Sequence, residues 1–270
     1  MRIALTGATG IVGGFIAPAI RAAGHQLVPL PGYRLGDRPD LSGCDALIHA
    51  AFAHAPGRYR GGEGDDPARF LRLNLDGTLR LFDAAADAGL RRLVFLSSRA
   101  VHDGHPPGTR LADTLRPAPT TLYGKVKAAA EAALADLPVA GTSLRATGVY
   151  GPGGANKWRG LFRDYLAGRP VAPHVATEVH GDDLARAALL ALQDKAPPTL
   201  NVSDLVLDRA DLLAEIARLT GCRHPLPPRA ATDALRIPDC AGLAALGWRG
   251  GGMARLRESL PGMLDPDADL

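Results

Sequence analysis

At 270 residues the chain is long enough to bury a sizeable core, as one large domain or as one domain with a smaller lobe. Hydrophobic residues at 46% and charged residues at 22% suit a soluble globular protein, and a formal net charge of +3 is too small and too scattered for a nucleic-acid surface. No apolar run has the length of a membrane helix, MRIALTGATG meets its glycines too early for a signal peptide, and Cys44, Cys222 and Cys240 fit neither a zinc spacing nor a disulfide framework, so a metal-free protein of the reducing cytoplasm is expected.

In chain order, RIALT reads as a buried strand and IVGGFIAPAIRAAG as a helix ended by Gly24. HQLVPL is a second strand, DALIHAA a third and RRLVFLSS a fourth. Between the third and fourth strands a helical stretch runs from about Pro67 to Gly89, with Phe70, Leu71, Leu75, Leu79, Leu81 and Phe82 as its apolar positions. TTLYGKVKAAAEAAL is an alanine-rich helix, and GTSLRATGV follows as a strand. Continuous apolar strands separated by helices predict a doubly wound α/β fold with a parallel sheet covered on both faces. After Tyr150 the texture changes to GPGGANKWRGLFRDYLAGRP, a DDLARAALLALQ helix, a TLNVS strand, a DRADLLAEIARLTG helix and a Pro-, Gly- and Ala-rich tail. The predicted division is residues 1–150 as a dinucleotide-binding domain and 151–270 as mainly a substrate-binding lobe, interleaved with the last elements of the sheet. No internal repeat is visible. The polar loop HAPGRYRGGEGDDP follows a strand end, where α/β proteins place ligand-gripping loops.

The strongest local signal is TGATGIVGG, which spaces Gly7, Gly10 and Gly13 between a strand and a helix. Gly7 permits the tight turn, Gly10 lets backbone approach a pyrophosphate at the helix N-terminus, and Gly13 lets the helix lie close to the strand. Thr9, Ile11 and Val12 belong to the same turn and count among its cofactor contacts. The end of the second strand should select the dinucleotide, since a carboxylate there suits a ribose 2′-hydroxyl and a cation suits a 2′-phosphate. HQLVPL runs into Pro31, Gly32, Tyr33 and Arg34 with no carboxylate before Asp37, which leans towards NADP over NAD. Arg34 is either the phosphate partner or a solvated loop charge. Asp40 and Leu41 are candidates for the adenine side. On the alanine-rich helix, Tyr123 and Lys127 stand one turn apart on a shared face. An ammonium there favours the phenolate, so Tyr123 can exchange a proton with a substrate hydroxyl. Ser97 and Ser98 end the preceding strand at the edge where the glycine turn also lies.

TGATGIVG, HAA at 49–51, NLDGT at 74–78, LSSRAV at 96–101, YGKVK at 123–127, LRATGVYGPGG at 144–154 and VHGDDLA at 179–185 resemble, in order and spacing, the extended short-chain dehydrogenases/reductases, the NAD-dependent epimerase/dehydratase family. The resemblance covers about the first 200 residues, and LGW at 246–248 fits the usual C-terminal region. It implies a Rossmann-type sheet and an NAD(P)-dependent oxidoreductase with Tyr123 as general acid/base and Lys127 as its cofactor-bound partner. Ser98 would bind the substrate oxygen, with Ser97 as a strand-end hydroxyl beside it. Asn74 would support the lysine or a water, or serve as a polar helix residue. Ala50 and Ala51 would pass close to the cofactor, and Thr147 to Val149 would present backbone to the nicotinamide amide. His54 and Arg99 are candidate substrate contacts. His180 and Asp183 are expected to be structural, with Asp182 or Asp183 capping the helix that follows. A homodimer through a helix bundle that includes the Tyr123 helix is implied as well.

The sequence departs from the family pattern in three places. The region between HQLVPL and DALIHAA is short, where relatives fit an extra strand and helix. Arg99 and Ala100 occupy the positions of the dehydratases' Asp-Glu pair, which argues against dehydration. The segment RPVAPHVATEVHG has no arginine after Arg169 to pair with a diphosphate. Lys157, Arg159 and Arg163 could substitute, or form a solvated helix face. The expected reaction is therefore net reduction or oxidation at a secondary alcohol or ketone of a sugar-like or other small polar substrate. An epimerase is the alternative, and a non-catalytic NAD(P)-sensing protein ranks last because Ser98, Tyr123 and Lys127 are all present.

Overall fold

The computed structural model describes residues 1–54 and 62–265. Strand β1 (Arg2–Thr6) leads through the glycine turn into α1 (Ile11–Ala22), then β2 (Gln26–Val28) and β3 (Ala46–His49). Helix α2 (Pro67–Leu71) starts where sequence logic puts it: the Asp66 side chain accepts from Arg69 N–H, and Pro67 takes the first helical position. A π-helical turn (Arg72–Asp76) joins α2 to α3 (Gly77–Asp87), so the expected single helix from Pro67 to Gly89 is interrupted. Then follow β4 (Arg92–Ser98), a 3₁₀ turn (Arg99–His102), β5 (Arg110–Leu111) and α4 (Leu122–Ala135), whose Thr121 cap accepts from Gly124 N–H. Beyond α4 come β6 (Ala140–Ala146), β7 (Gly148–Tyr150), α5 (Arg159–Leu166), β8 (Val175–His180), α6 (Gly181–Leu190), β9 (Thr199–Val202) and β10 (Leu205–Asp208). The chain ends with α7 (Arg209–Thr220), β11 (Ile237–Pro238), α8 (Ala241–Ala245) and α9 (Gly252–Leu264).

The main sheet has the order β2-β1-β3-β4-β6-β9, with every pairing parallel. Its strands are buried on both faces, which is why they read as unbroken apolar runs. On one face Ile16 and Ile20 of α1 and Leu184 and Ala188 of α6 pack against Ile3, Ile48 and Val94. On the other, Leu81 and Phe82 of α3 and Ala130 and Leu134 of α4 cover Leu47, Leu93 and Phe95. The expected strand 141–149 divides at Thr147. Up to Ala146 it pairs with β9, and Thr147 N–H still donates to Val202, but Gly148–Tyr150 leave to pair with β8 in a second sheet, β10-β8-β7. Tyr150, Phe162, Tyr165, Leu213, Ile216 and Leu256 form a separate core beneath that sheet, while β9 and α6 return to the main one. Among the described residues no helix is long and apolar enough to cross a membrane.

Candidate active site

The glycine turn closes as the spacing requires. Gly7 lies at φ +71°, a left-handed conformation, and an added Cβ would sit 2.7 Å from Ala51 N. A Cβ on Gly13 would run into the Gly7 carbonyl oxygen, so only glycine lets α1 start this close to β1. Gly10 caps α1 without a side chain and leaves the N–H groups of the first turn aimed outward. Ala50 and Ala51 face the turn from the end of β3 with small side chains. A cleft of about 590 Å³ opens at this carboxyl edge of the sheet, within the usual range for small-molecule sites. Gly7, Thr9, Gly10, Ile11, Val12, Ala50, Ala51, His54, Ser98, Arg99, Tyr123, Lys127, Thr147 and Val149 all line it. A bare helix N-terminus, two close glycines and two alanines fit a dinucleotide pyrophosphate and its neighbouring ribose.

At the inner end, α4 brings Tyr123 and Lys127 to the cleft beside the end of β4. Lys127 is almost fully buried, and its Nζ donates to Leu96 O at 2.6 Å. Its ammonium lies 4.3 Å from the Phe52 ring centroid, 4.6 Å from Phe95 and 5.9 Å from Tyr123. Burial pulls its pKa down to about 7, partly opposed by the Glu131 carboxylate one turn on. Ser98 Oγ accepts from Ala100 N–H at 3.1 Å, which leaves its own O–H to donate into the cleft. Ser97 points the other way: its Oγ donates to Glu131 at 2.5 Å, beneath the site. Glu131 also accepts from Arg145 Nε and Nη2, a buried ion pair with side chains 5% and 4% exposed.

A model of the NAD dependent epimerase/dehydratase family matches residues 3–203. The chain belongs to this family. It is 31% identical over 276 residues to the 3-diazoavenalumate denitrifying reductase of a Streptomyces species, covering 92% of this chain and 88% of that protein. Identity to the UDP-glucose 4-epimerase of Streptomyces lividans is 26% over 303 residues, covering 90% of each. The Thermus thermophilus UDP-glucose 4-epimerase, solved in complex with NAD, superposes with a TM-score of 0.77 at 26% identity, over 98% of this chain and all of that one. The protein is thus an NAD-dependent enzyme of the extended short-chain dehydrogenase/reductase type.

Against the family pattern several expected residues sit elsewhere. Leu41, expected beside adenine, is buried in the core with Cys44, Leu47 and Leu81. Asp40 is exposed and accepts from Ser42 N–H, and Arg34 is exposed with its backbone N–H on Asp37. Neither lines the cleft, whereas Leu35 does. The cause is the missing strand and helix: the segment 29–45 turns straight back to β3, and the core takes Leu41. Asn74 is not bonded to Lys127. Its amide oxygen accepts from Ala53 N–H and its nitrogen donates to Ala53 O, both at 2.7 Å, so it clamps the chain leaving β3. The cap of α6 is His180, whose Nδ1 accepts from Asp182 N–H, rather than an aspartate. Buried Asp183 instead accepts from Gly251 N–H and Arg186, tying down the C-terminal segment. Lys157 is not on a solvated helix face. It precedes α5, lines the cleft over Gly148 and pairs with Glu178. His54 is exposed at the cleft rim, and residues 55–61 of the expected gripping loop lie outside the described residues. The residues that sequence reasoning missed are Phe52, Phe70, Glu131 and Arg145. A charge in the middle of the apolar run TSLRAT was the available signal for Arg145.

Proposed function

We propose that the protein is a net reductase or dehydrogenase acting at a secondary alcohol or ketone, with Tyr123 as its general acid/base. A bound nicotinamide supplies the two-electron redox chemistry. Tyr123 takes the proton from a substrate hydroxyl, or returns it to a carbonyl oxygen. Ser98 donates a hydrogen bond to that oxygen. Lys127, in its ammonium form, favours the phenolate of Tyr123. The observation that carries this reading is the convergence of Tyr123, Lys127 and Ser98 on the cleft that the glycine turn opens. A relative named for a reductase reaction supports it across most of the chain. Tyr123→Phe is expected to bind NADH like the wild type and to lose roughly 10²- to 10⁴-fold in turnover. Turnover equal to the wild type would overturn the assignment.

The epimerase reading is favoured by a relative named UDP-glucose 4-epimerase that matches over 90% of the chain. An epimerase returns its cofactor to the starting redox state each cycle, so NAD that copurifies and exchanges poorly would support it. A site that exchanges NADH freely would support net redox. A preference for NADP rests on Arg34 alone, and the NADPH to NADH affinity ratio of Arg34→Ala tests it. Residues 151–270 are proposed to supply mainly the substrate side of the cleft, through Lys157. A homodimer through α4 is supported by its exposed small residues Ala129, Ala132 and Ala135, and the mass in solution tests it. The free thiols of Cys44, Cys222 and Cys240 suit a reducing compartment.

A further inference from the structure

We infer that the reacting end of the cleft is built for a flat aromatic substrate, an aryl ketone or aryl carbinol, with Phe52 as the residue that sets this specificity; the inference rests on the redox reading above. Phe52 is the third residue beyond β3, directly after the alanines that face the glycine turn. Its ring stands edge-to-face with Tyr123 at 5.1 Å and 84°, and with Phe70 at 5.6 Å and 74°. Both phenylalanines and Tyr123 line the cleft. The wall is held in place, because Asn74 grips both backbone groups of Ala53, the next residue, and also donates to Phe70 O. An anchored aromatic surface therefore lies in ring contact with the reacting tyrosine.

Among the described residues, the cationic side chains around that wall, and the Asn74 amide behind it, already face protein partners. Lys127 donates to Leu96 O, Arg99 pairs with Asp103 at 3.0 Å, and Lys157 pairs with Glu178. Asn74 is engaged by Ala53 and Phe70. A polyhydroxylated ring brings many hydroxyls, and each one buried without a partner is costly. A flat aryl group brings none, and needs only one oxygen to be met by Ser98 and Tyr123. A diphosphate is also poorly served, since residues 170–181 contain no arginine or lysine.

The test uses the full chain saturated with oxidised NAD, which cannot reduce a ketone, with acetylnaphthalene and UDP-glucose as probes, and titration calorimetry as the readout. Wild type is expected to bind acetylnaphthalene more tightly than UDP-glucose. Phe52→Leu keeps the bulk but loses the ring, and is expected to weaken acetylnaphthalene by about three- to tenfold while leaving UDP-glucose unchanged. Phe52→Tyr should remain within about twofold of wild type, because it keeps the ring. Tighter binding of UDP-glucose by the wild type overturns the inference, and so does a Phe52→Leu variant with unchanged aryl affinity. The wild-type comparison stands even if Phe52→Leu fails to fold. NADH affinity measured without either probe, together with Tyr123→Phe turnover, reports separately on the redox reading: normal values with no aryl preference sink the specificity alone.

Discussion

Replacing Glu131 with glutamine removes the charge that the buried arginine beneath the active site was folded around. Arg145 Nη2 lies 2.7 Å from Glu131 Oε2, its Nε lies 3.1 Å from both carboxylate oxygens, and Ser97 donates to the same group. Both side chains are almost wholly buried, so water cannot make good the loss. What remains to Arg145 is Asp113 O, Leu115 O and a contact with His102, a ring that burial and the guanidinium keep neutral by lowering its pKa to about 4. Breaking a buried pair at one partner costs about 3–5 kcal/mol. With about 2–4 °C of melting temperature per kcal/mol at this chain length, Glu131→Gln is expected to melt roughly 6–20 °C below wild type. A double variant, Glu131→Leu with Arg145→Met, replaces both charges by apolar groups and should recover much of that loss. The same substitution withdraws the charge that raises the Lys127 pKa, so the value near 7 falls further and the alkaline limb of turnover moves to lower pH. Thermal scans of the three proteins and a pH–rate profile of Glu131→Gln decide the matter. A single variant that melts within about 2 °C of wild type would refute the reasoning, as would a double variant that melts no higher than Glu131→Gln.

Gly13→Ala places a methyl against the Gly7 carbonyl, so the glycine turn must open, and NADH affinity should fall at least about tenfold, measured by calorimetry. Asn74→Ala unmakes the clamp on Ala53 and is expected to cost about 1–3 kcal/mol in urea unfolding. Unchanged stability would show that the chain after β3 is held by other contacts. Burial, and then the neighbouring Asp183, raise the Asp204 pKa from 3.8 to about 7. The folded protein therefore binds the proton more tightly than the unfolded chain, and this contribution to stability is full below about pH 4 and is lost as pH rises through about 7. Asp204→Asn should flatten that fall, melting closer to or above wild type at pH 8, and an unaltered pH slope would contradict it.

The features legible in the sequence are those fixed by neighbours along the chain. The strands of the main sheet are continuous apolar runs because both faces are covered, and the glycine turn is legible because its three glycines meet one another locally. Tyr123 and Lys127 share a face by helical geometry alone. The misplaced residues depend on what the sequence cannot show at short range. Asn74 sits inside a π-helical turn, which advances the register of the helix, so a 3.6-residue count from Pro67 does not give its direction. Leu41 is a candidate for the adenine side by its place after the second strand, but the short path from β2 to β3 carries it into the core. The pair Glu131–Arg145 requires the register of β4 against β6, which sets Arg145 directly opposite Ser97, before α4 can lay Glu131 across both.

That register also explains why α4 unites stability with chemistry. Its inward face carries Lys127, Ala130, Glu131 and Leu134, positions three and four apart. Ala130 and Leu134 bind the helix to the sheet, and they seat Lys127 at the cleft and Glu131 one turn below it. With Nζ fixed on Leu96 O, the last carbonyl but two of β4, the ammonium cannot shift without moving the strand end that also presents Ser98. The two groups proposed to act on one substrate oxygen, Ser98 and Tyr123, are therefore spaced by a lysine anchored on the strand that bears one and rooted in the helix that bears the other. The charge beneath that lysine belongs to the same pair that stabilises the fold, so a substitution made there for stability will be read in the pH profile as well.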